Sequence, residues 1–143
     1  MKKITLHQAF EAPLDRVFDA LSKHATFNTV LWPIQSVRIE DSRDAGNPDG
    51  VGSVRKMGVG PLKAIREQIT RVEPGRLIEY RMLKNPLVSH HRGELVFSEV
   101  NGKTELLYTI ELESRLPLAG PALLMQLKLS ATRGLKKLAA NLA

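Results

Sequence analysis

The residues best able to do chemistry are a few polar side chains set among apolar neighbours. Glu67 lies between Ile65 and Ile69 in an alternating segment, so the three side chains share one face of a strand. A carboxylate taken out of water is costly unless it is paired or hydrogen-bonded. A turn after the preceding strand places Arg55 opposite Ile65 and diagonal to Glu67. The long Arg55 side chain is therefore expected to reach the Glu67 carboxylate.

Three roles are open for Glu67. It can form a purely structural ion pair with Arg55. It can instead be a polar anchor inside a ligand cavity, since such cavities are mostly apolar with a few placed polar groups. It can also be a general acid or base, because burial can raise the pKa of a carboxyl group. The residue types alone do not choose among these roles.

The histidines give a weaker signal. His91 shares the face of Gly93, Leu95 and Phe97, whereas His90 is expected to point outward, because adjacent strand residues face opposite sides. His91 is either a satisfied core or surface histidine or a ligand contact. His7 and His24 are isolated and are expected at the surface. No HxH or HxxxH spacing and no cysteine is present, so no metal site is predicted.

The sequence contains no specific catalytic or cofactor motif. There is no GxxxxGK[ST] loop, no GxGxxG sequence that opens a helix, and no nucleophile elbow. We therefore predict no cofactor, and we leave open whether the protein is an enzyme.

A long C-terminal helix must help to position these residues. Its first part contains Pro121, which suits a first helical turn. Met125 and Leu129 lie beside the main apolar stripe and are expected to widen it and to line a ligand cavity, while Gly134 would let a sheet approach closely. A stripe this long needs a partner of similar length, and a curved antiparallel sheet is the natural one. The stripe consists of Leu124, Leu127, Ala131, Leu135, Leu138 and Leu142, and the residues expected to face water are Gln126, Ser130, Arg133 and Lys137.

The strands are predicted from alternation and from turn signals. The Asn101-Gly102 dipeptide is a strong hairpin signal and sets Phe97 against Leu106, Leu95 against Tyr108 and Gly93 against Ile110. The turn at residues 73–76 sets Ile69 against Tyr80 and Glu67 against Met82. The predicted inner face therefore contains Ser53, Arg55, Met57, Ile65, Glu67, Ile69, Ile78, Tyr80 and Met82.

Trp32, the only tryptophan, follows Val30 and Leu31 and is expected to pack inward. It can be a core anchor or a wall of the cavity.

Length and charge narrow the class of protein. The 143 residues suit a single domain, 1–143, with its own core. The net charge of +6 is spread along the chain without an arginine-rich tract, so nucleic-acid binding is not expected. No signal peptide or membrane span is apparent, and a cytoplasmic location is expected.

Several segments resemble the START-like (SRPBCC) superfamily, and within it the polyketide cyclase/dehydrase and lipid-transport branch. They are residues 12–21 (APLDRVFDAL), Trp32-Pro33, residues 50–55 (GVGSVR), and Glu67 with residues 72–80 (VEPGRLIEY). The resemblance implies an α+β, Bet v 1-like helix-grip fold. In that fold a seven-stranded antiparallel sheet wraps around a long C-terminal helix, and two short helices lie between strands one and two. The cavity mouth would be framed by residues 58–62, 85–90 and 114–120.

The resemblance and the inner face together predict a cavity that binds or transports a small, mostly hydrophobic molecule. An alternative is a cyclase or dehydratase using Glu67, Tyr80 or His91, which would fail if those groups were solvent-exposed or locked in an ion pair. Another is a lipid or quinone chaperone at a membrane surface, a contact that is compatible with the pattern but not required. The predicted ligand-binding residues are Trp32, Arg55, Met57, Glu67, Ile69, Tyr80, Met82, His91, Tyr108, Met125 and Leu129.

Overall fold

The computed structural model describes residues 2–44, 46–59, 62–115 and 119–143. Within these ranges, three helices and seven strands follow one another in the order predicted from the sequence. The elements are β1 (Lys2–Phe10), α1 (Leu14–Leu21), α2 (His24–Val30), β2 (Gln35–Glu40), β3 (Val54–Val59), β4 (Leu62–Glu73), β5 (Leu77–Met82), β6 (Val88–Val100), β7 (Lys103–Ser114) and α3 (Ala119–Leu142).

The seven strands form one antiparallel sheet in the order β1-β7-β6-β5-β4-β3-β2. α3 packs against β1, β7 and α2, so the sheet curves around the C-terminal helix. The predicted helix-grip architecture, with two short helices between the first two strands, is confirmed. No helix in the described part of the chain is both long and apolar enough to cross a membrane.

α3 buries most of its predicted stripe. Leu124, Leu127, Ala131 and Leu135 are buried, and Leu138 and Leu142 are partly buried.

Two details of this helix were predicted wrongly. Ser130 was expected to face water, but it is almost fully buried and accepts a hydrogen bond from Gln126 Nε2 at 3.0 Å. Gly134 does permit a close approach, but of a helix rather than of the sheet. A Cβ at this position would overlap the carbonyl group of Val30, the last residue of α2.

The predicted registers of two hairpins are confirmed. Phe97 pairs with Leu106, Leu95 with Tyr108 and Gly93 with Ile110, while Ile69 pairs with Tyr80 and Glu67 with Met82.

The predicted register of β3 and β4 is wrong. Arg55 lies directly opposite Glu67, not diagonal to it, and Ile65 faces Met57. The ladder continues to a Val59–Leu62 pair, with an irregularity after Met57. Gly60 and Pro61, which lie between these two paired residues in the sequence, are outside the described part of the chain. The correction brings the two charged side chains closer together.

Candidate functional site

A cavity of about 340 Å³ lies beside the inner polar residues, and we call it the main cavity. Residues of β3, β4, β6, α3 and the segment after α2 line it. The lining is apolar apart from Glu67, His91 and Gln126. It consists of Pro33, Ile34, Met57, Gly58, Ile65, Glu67, His91, Leu123, Gln126 and Leu127.

A buried ion pair reaches the wall of the main cavity. Arg55 and Glu67 are each only 1% exposed. Arg55 donates to Glu67 Oε1 from Nε at 3.2 Å and from Nη2 at 3.0 Å. His91 Nε2 lies 2.6 Å from Glu67 Oε2, although Oε2 accepts no well-aligned hydrogen bond. The carboxylate on β4 is thus held between Arg55 of the adjacent strand β3 and His91 of β6, which lies two strands away on the other side.

The charges around Glu67 fix its protonation state. Burial alone would raise the pKa of Glu67, but the charges of His91 and Arg55 hold the pKa below its usual value. Glu67 is therefore a carboxylate at neutral pH and is locked in an ion pair. This is the outcome under which a role for Glu67 as general acid or base was expected to fail.

Arg55 faces away from the main cavity. Its guanidinium group lies between the rings of Phe27 and Tyr80, at 4.7 and 4.8 Å from their centroids. It lines a second cavity of about 130 Å³, which also contacts His24 and Ile69. Because Glu67 lines the main cavity and Arg55 the second, their ion pair lies between the two spaces.

Two tyrosines complete the polar interior. Tyr80 and Tyr108 are almost fully buried, and their hydroxyl groups share a hydrogen bond. Burial raises the pKa of both phenols above its usual value, so both are neutral at physiological pH. A Cβ at Gly93 would overlap the Tyr80 ring, so the glycine leaves room for it. Tyr80 lines the second cavity.

His24 was expected at the surface, and this prediction is wrong. The residue is only 5% exposed, and Nε2 lies 3.4 Å from Ser53 Oγ. Burial and the charge of Arg55 lower the pKa of His24 to about 4. The loop residue Asp49 accepts the backbone N–H of His24 at 3.2 Å and a 2.5 Å bond from Arg38. Sequence reasoning missed this contact because it joins residues that are remote along the chain.

Trp32 does not pack inward as predicted. It is 56% exposed, because Leu31 and Ile34 occupy the buried positions of the turn after α2. Arg133 Nη2 donates to the Trp32 carbonyl group at 3.0 Å, and the guanidinium carbon lies 5.9 Å from the ring centroid. Trp32 therefore belongs to an outer groove beside α3.

Met125 and Leu129 were expected to line the cavity, and both instead point to solvent. They are 55% and 61% exposed. Both residues lie beside the buried stripe of α3, on a side of the helix that the sheet does not cover. Leu123 and Leu127 line the main cavity in their place.

The remaining predicted residues except Tyr108 are divided among three spaces, and Tyr108 contacts the Tyr80 hydroxyl group without lining any of them. Met57, Glu67 and His91 line the main cavity, and Arg55, Ile69 and Tyr80 line the second. Met82 and His91 line a groove of about 160 Å³ at the ends of β5 and β6. Of the predicted mouth, Gly58 lines the main cavity, whereas residues 60–61 and 116–118 lie outside the described ranges.

Within the described ranges, no group of three His, Asp or Glu side chains is arranged to hold a metal ion. The arrangement offers an apolar space with a charged anchor in its wall.

Comparisons with known proteins agree with this architecture. Residues 1–143 match the family described as polyketide cyclase/dehydrase and lipid transport. A comparison with curated proteins finds no match.

Similar solved structures come from bacteria and plants. The Zhui aromatase/cyclase of Streptomyces sp. R1128 is 18% identical, with a TM-score of 0.70 over 97% of this chain and 93% of that one. A START superfamily protein of Mycobacterium smegmatis is 13% identical, with a TM-score of 0.69 over 95% and 98%. The major latex-like protein 151 of Panax ginseng is 14% identical, with a TM-score of 0.68 over 98% and 96%.

At these identities, the structural likenesses show a shared fold and no more. The family match extends over all 143 residues, and it is independent of these structural likenesses. This chain belongs to the polyketide cyclase/dehydrase and lipid transport family.

Proposed function

We propose that the protein binds and transports a small, mostly apolar molecule in the main cavity. The observation that carries the proposal is a cavity of about 340 Å³ with an apolar lining and one buried charged cluster in its wall. Its volume lies in the range of small-molecule sites, which are mostly apolar with a few placed polar groups.

In this proposal, Glu67 and His91 orient the ligand. Glu67 Oε2 and His91 Nδ1 have no well-aligned hydrogen-bond partner within the described part of the chain. A buried polar atom left unsatisfied costs free energy, so a hydroxyl or carbonyl group of a ligand would be stabilised beside them. The apolar remainder of the ligand would contact Met57, Ile65 and Leu127.

The test is a fluorescence titration with N-phenyl-1-naphthylamine, a neutral apolar probe. Wild-type protein is expected to bind it saturably. Leu123→Trp fills the cavity wall and should weaken binding about tenfold or more, which corresponds to about 1.4 kcal/mol. Met125→Trp introduces the same side chain on the exposed side of α3 and should change the affinity less than about twofold. An absence of saturable binding, or equal affinities for the two variants, would contradict the proposal.

An enzymatic role receives less support. Of the three candidate residues, Glu67 is ionised and paired with Arg55, Tyr80 has a raised pKa, and His91 lies 2.6 Å from the Glu67 carboxylate. General acid–base catalysis is most efficient when the pKa lies near the working pH. We therefore do not propose a reaction.

A second candidate function is exchange of the ligand at an anionic membrane surface. Trp32, Met125 and Leu129 are more than half exposed, Arg133 lies by the Trp32 ring, and Lys137 lines the same groove. Tryptophan and apolar side chains beside cations favour the boundary of an anionic bilayer.

Co-sedimentation with phosphatidylcholine vesicles, with and without phosphatidylserine, tests this candidate. Binding should require phosphatidylserine and should fall in Leu129→Ser. It should not fall in Leu107→Ser, which removes an exposed leucine from β7. Binding that ignores the anionic lipid would exclude this role.

A further inference from the structure

A basic groove lies at the ends of β5 and β6 and borders the main cavity. Its volume is about 160 Å³. No carboxylate is present among the side chains that line it. They are Arg81, Met82, Lys84, Asn85, Val88, Ser89, His90, His91 and Arg115.

The cations of the groove are poorly neutralised. Lys84 and Arg115 are exposed, and neither makes an ion pair with another described residue. Arg81 Nε lies 3.4 Å from Glu79, at the edge of hydrogen-bond distance, and His90 is paired with Glu111 at 3.0 Å. The groove therefore presents a net positive charge to whatever occupies it.

Arg92, a neighbouring cation on the same sheet, is fully neutralised by carboxylates, in contrast to Lys84 and Arg115. Its guanidinium group has three carboxylate partners: Glu79 and Glu94, each at 2.6 Å, and Glu111 at 3.5 Å. Lys84 and Arg115 have no such partner in the described residues. The carboxylates of the sheet thus neutralise the partly buried Arg92, whereas Lys84 and Arg115 remain available for an external anion.

His91 connects the groove to the main cavity. It lines both spaces and is only 8% exposed. Its Nε2 approaches Glu67, while its Nδ1 has no hydrogen-bond partner in the described part of the chain. A ligand that extends from one space to the other would therefore pass a buried polar atom that lacks a partner.

We propose that the ligand is an anionic amphiphile. Its apolar part occupies the main cavity, and its carboxylate, sulfonate or phosphate group lies in the basic groove near Lys84 and Arg115. This assignment rests on the proposed function, because it needs the main cavity to bind the apolar part. Charge-assisted hydrogen bonds from Arg and Lys to such groups are stronger than neutral ones.

Three ligands with the same chain and different head groups test the assignment. Dodecanoate, dodecan-1-ol and dodecyltrimethylammonium are titrated by displacement of N-phenyl-1-naphthylamine, below their aggregation concentrations. Dodecanoate should bind about tenfold more tightly than dodecan-1-ol at low salt, and the ammonium ligand should bind most weakly. Added salt should reduce the advantage of dodecanoate, because the groove cations are exposed.

Two double variants remove equal charge at different places. Lys84→Gln with Arg115→Gln removes the groove cations and should abolish the preference for dodecanoate without changing the affinity for dodecan-1-ol. Lys56→Gln with Arg66→Gln removes two cations that lie opposite each other on β3 and β4, outside the groove. This variant should keep the preference for dodecanoate. All four side chains are exposed, so both variants should fold.

The outcomes separate this inference from the proposed function. Equal binding of dodecanoate and dodecan-1-ol to wild-type protein would overturn the assignment of an anionic ligand, but it would be consistent with binding of an apolar molecule in the main cavity. A preference that survives loss of Lys84 and Arg115 would also overturn it. Failure of all three ligands and of the probe to bind would overturn both proposals.

Discussion

At the scale of single residues, the Arg55–Glu67 pair is stable only as a complete unit. Both side chains are out of water, and each compensates the charge of the other. Removing one partner of a buried pair leaves an uncompensated charge, which is more costly than replacing both partners by apolar residues. The pair therefore constrains which substitutions the interior tolerates.

Glu67→Gln is expected to reduce the free energy of unfolding by about 3 to 5 kcal/mol, because it strands the Arg55 guanidinium group. Urea denaturation followed by circular dichroism measures the loss. Adding Arg55→Met to Glu67→Gln should recover part of it.

Glu73→Gln is the matched control, because Glu73 is more exposed and its arginine partners Arg71 and Arg76 are exposed. It should cost less than about 1 kcal/mol. A loss for Glu67→Gln no larger than that of the control would contradict the account of the buried pair.

His24 makes stability depend on pH. Its pKa is about 4 in the folded protein against 6.5 as its ordinary value. Between these values the unfolded chain binds a proton that the folded chain does not, so stability should fall as the pH falls through this window. Asp49, Arg38, Arg55 and Glu67 are the charged groups that act on it.

The measurement is the urea midpoint of wild type and His24→Gln at about pH 7 and about pH 5. Wild type should lose more stability than the variant on acidification. His7→Gln removes an exposed histidine and should behave as wild type. Equal pH dependence in wild type and His24→Gln would show that His24 is not the titrating group.

At this scale, the burial of Glu67 could be predicted from the sequence, whereas the burial of His24 could not. The apolar neighbours of Glu67 indicate its burial correctly, because alternation places all three side chains on one face. The burial of His24 depends on Asp49 and Ser53, which lie 25 and 29 residues away. No local pattern contains that contact.

At the scale of secondary-structure elements, the approach of α3 to α2 depends on one glycine. The carbonyl group of Val30 occupies the place where a side chain at position 134 would begin. Because both partners at this point are backbone, neither can move aside as a flexible side chain can. The two helices can therefore pack this closely only with glycine here.

Gly134→Ala should destabilise the protein by about 2 kcal/mol or more, although alanine favours an isolated helix by about 1 kcal/mol. Thermal and urea denaturation measure the change. Gly46→Ala, in an exposed loop where a Cβ makes only ordinary contact, is the control and should be near neutral. A stabilised Gly134→Ala variant would contradict this packing.

Element-scale prediction succeeds where a period or a turn type fixes the answer. The Asn101-Gly102 hairpin specifies its register, and the spacing of leucines specifies the buried side of α3. The stripe does not reveal where the curved sheet ends, so Met125, Leu129 and Ser130 were assigned to the wrong side. The turn after Val30 likewise does not reveal that Leu31 and Ile34, rather than Trp32, face the core.

At the scale of the whole molecule, the sheet and α3 leave internal space instead of closing completely. The Arg55–Glu67 pair lies between the main cavity and the second cavity, and His91 lies between the main cavity and the basic groove. The resemblance to the family predicts a cavity, but not these partitions, because they depend on side chains from several strands. The account predicts that a ligand enters the interior and does not bind to the exposed face of α3.

Methyl NMR spectroscopy during titration with dodecan-1-ol tests this claim most directly. The account predicts saturable shifts for the methyl groups of Met57, Ile65, Leu123 and Leu127, with Met125 and Leu129 nearly unchanged. Shifts confined to Met125 and Leu129, or none at all, would contradict it.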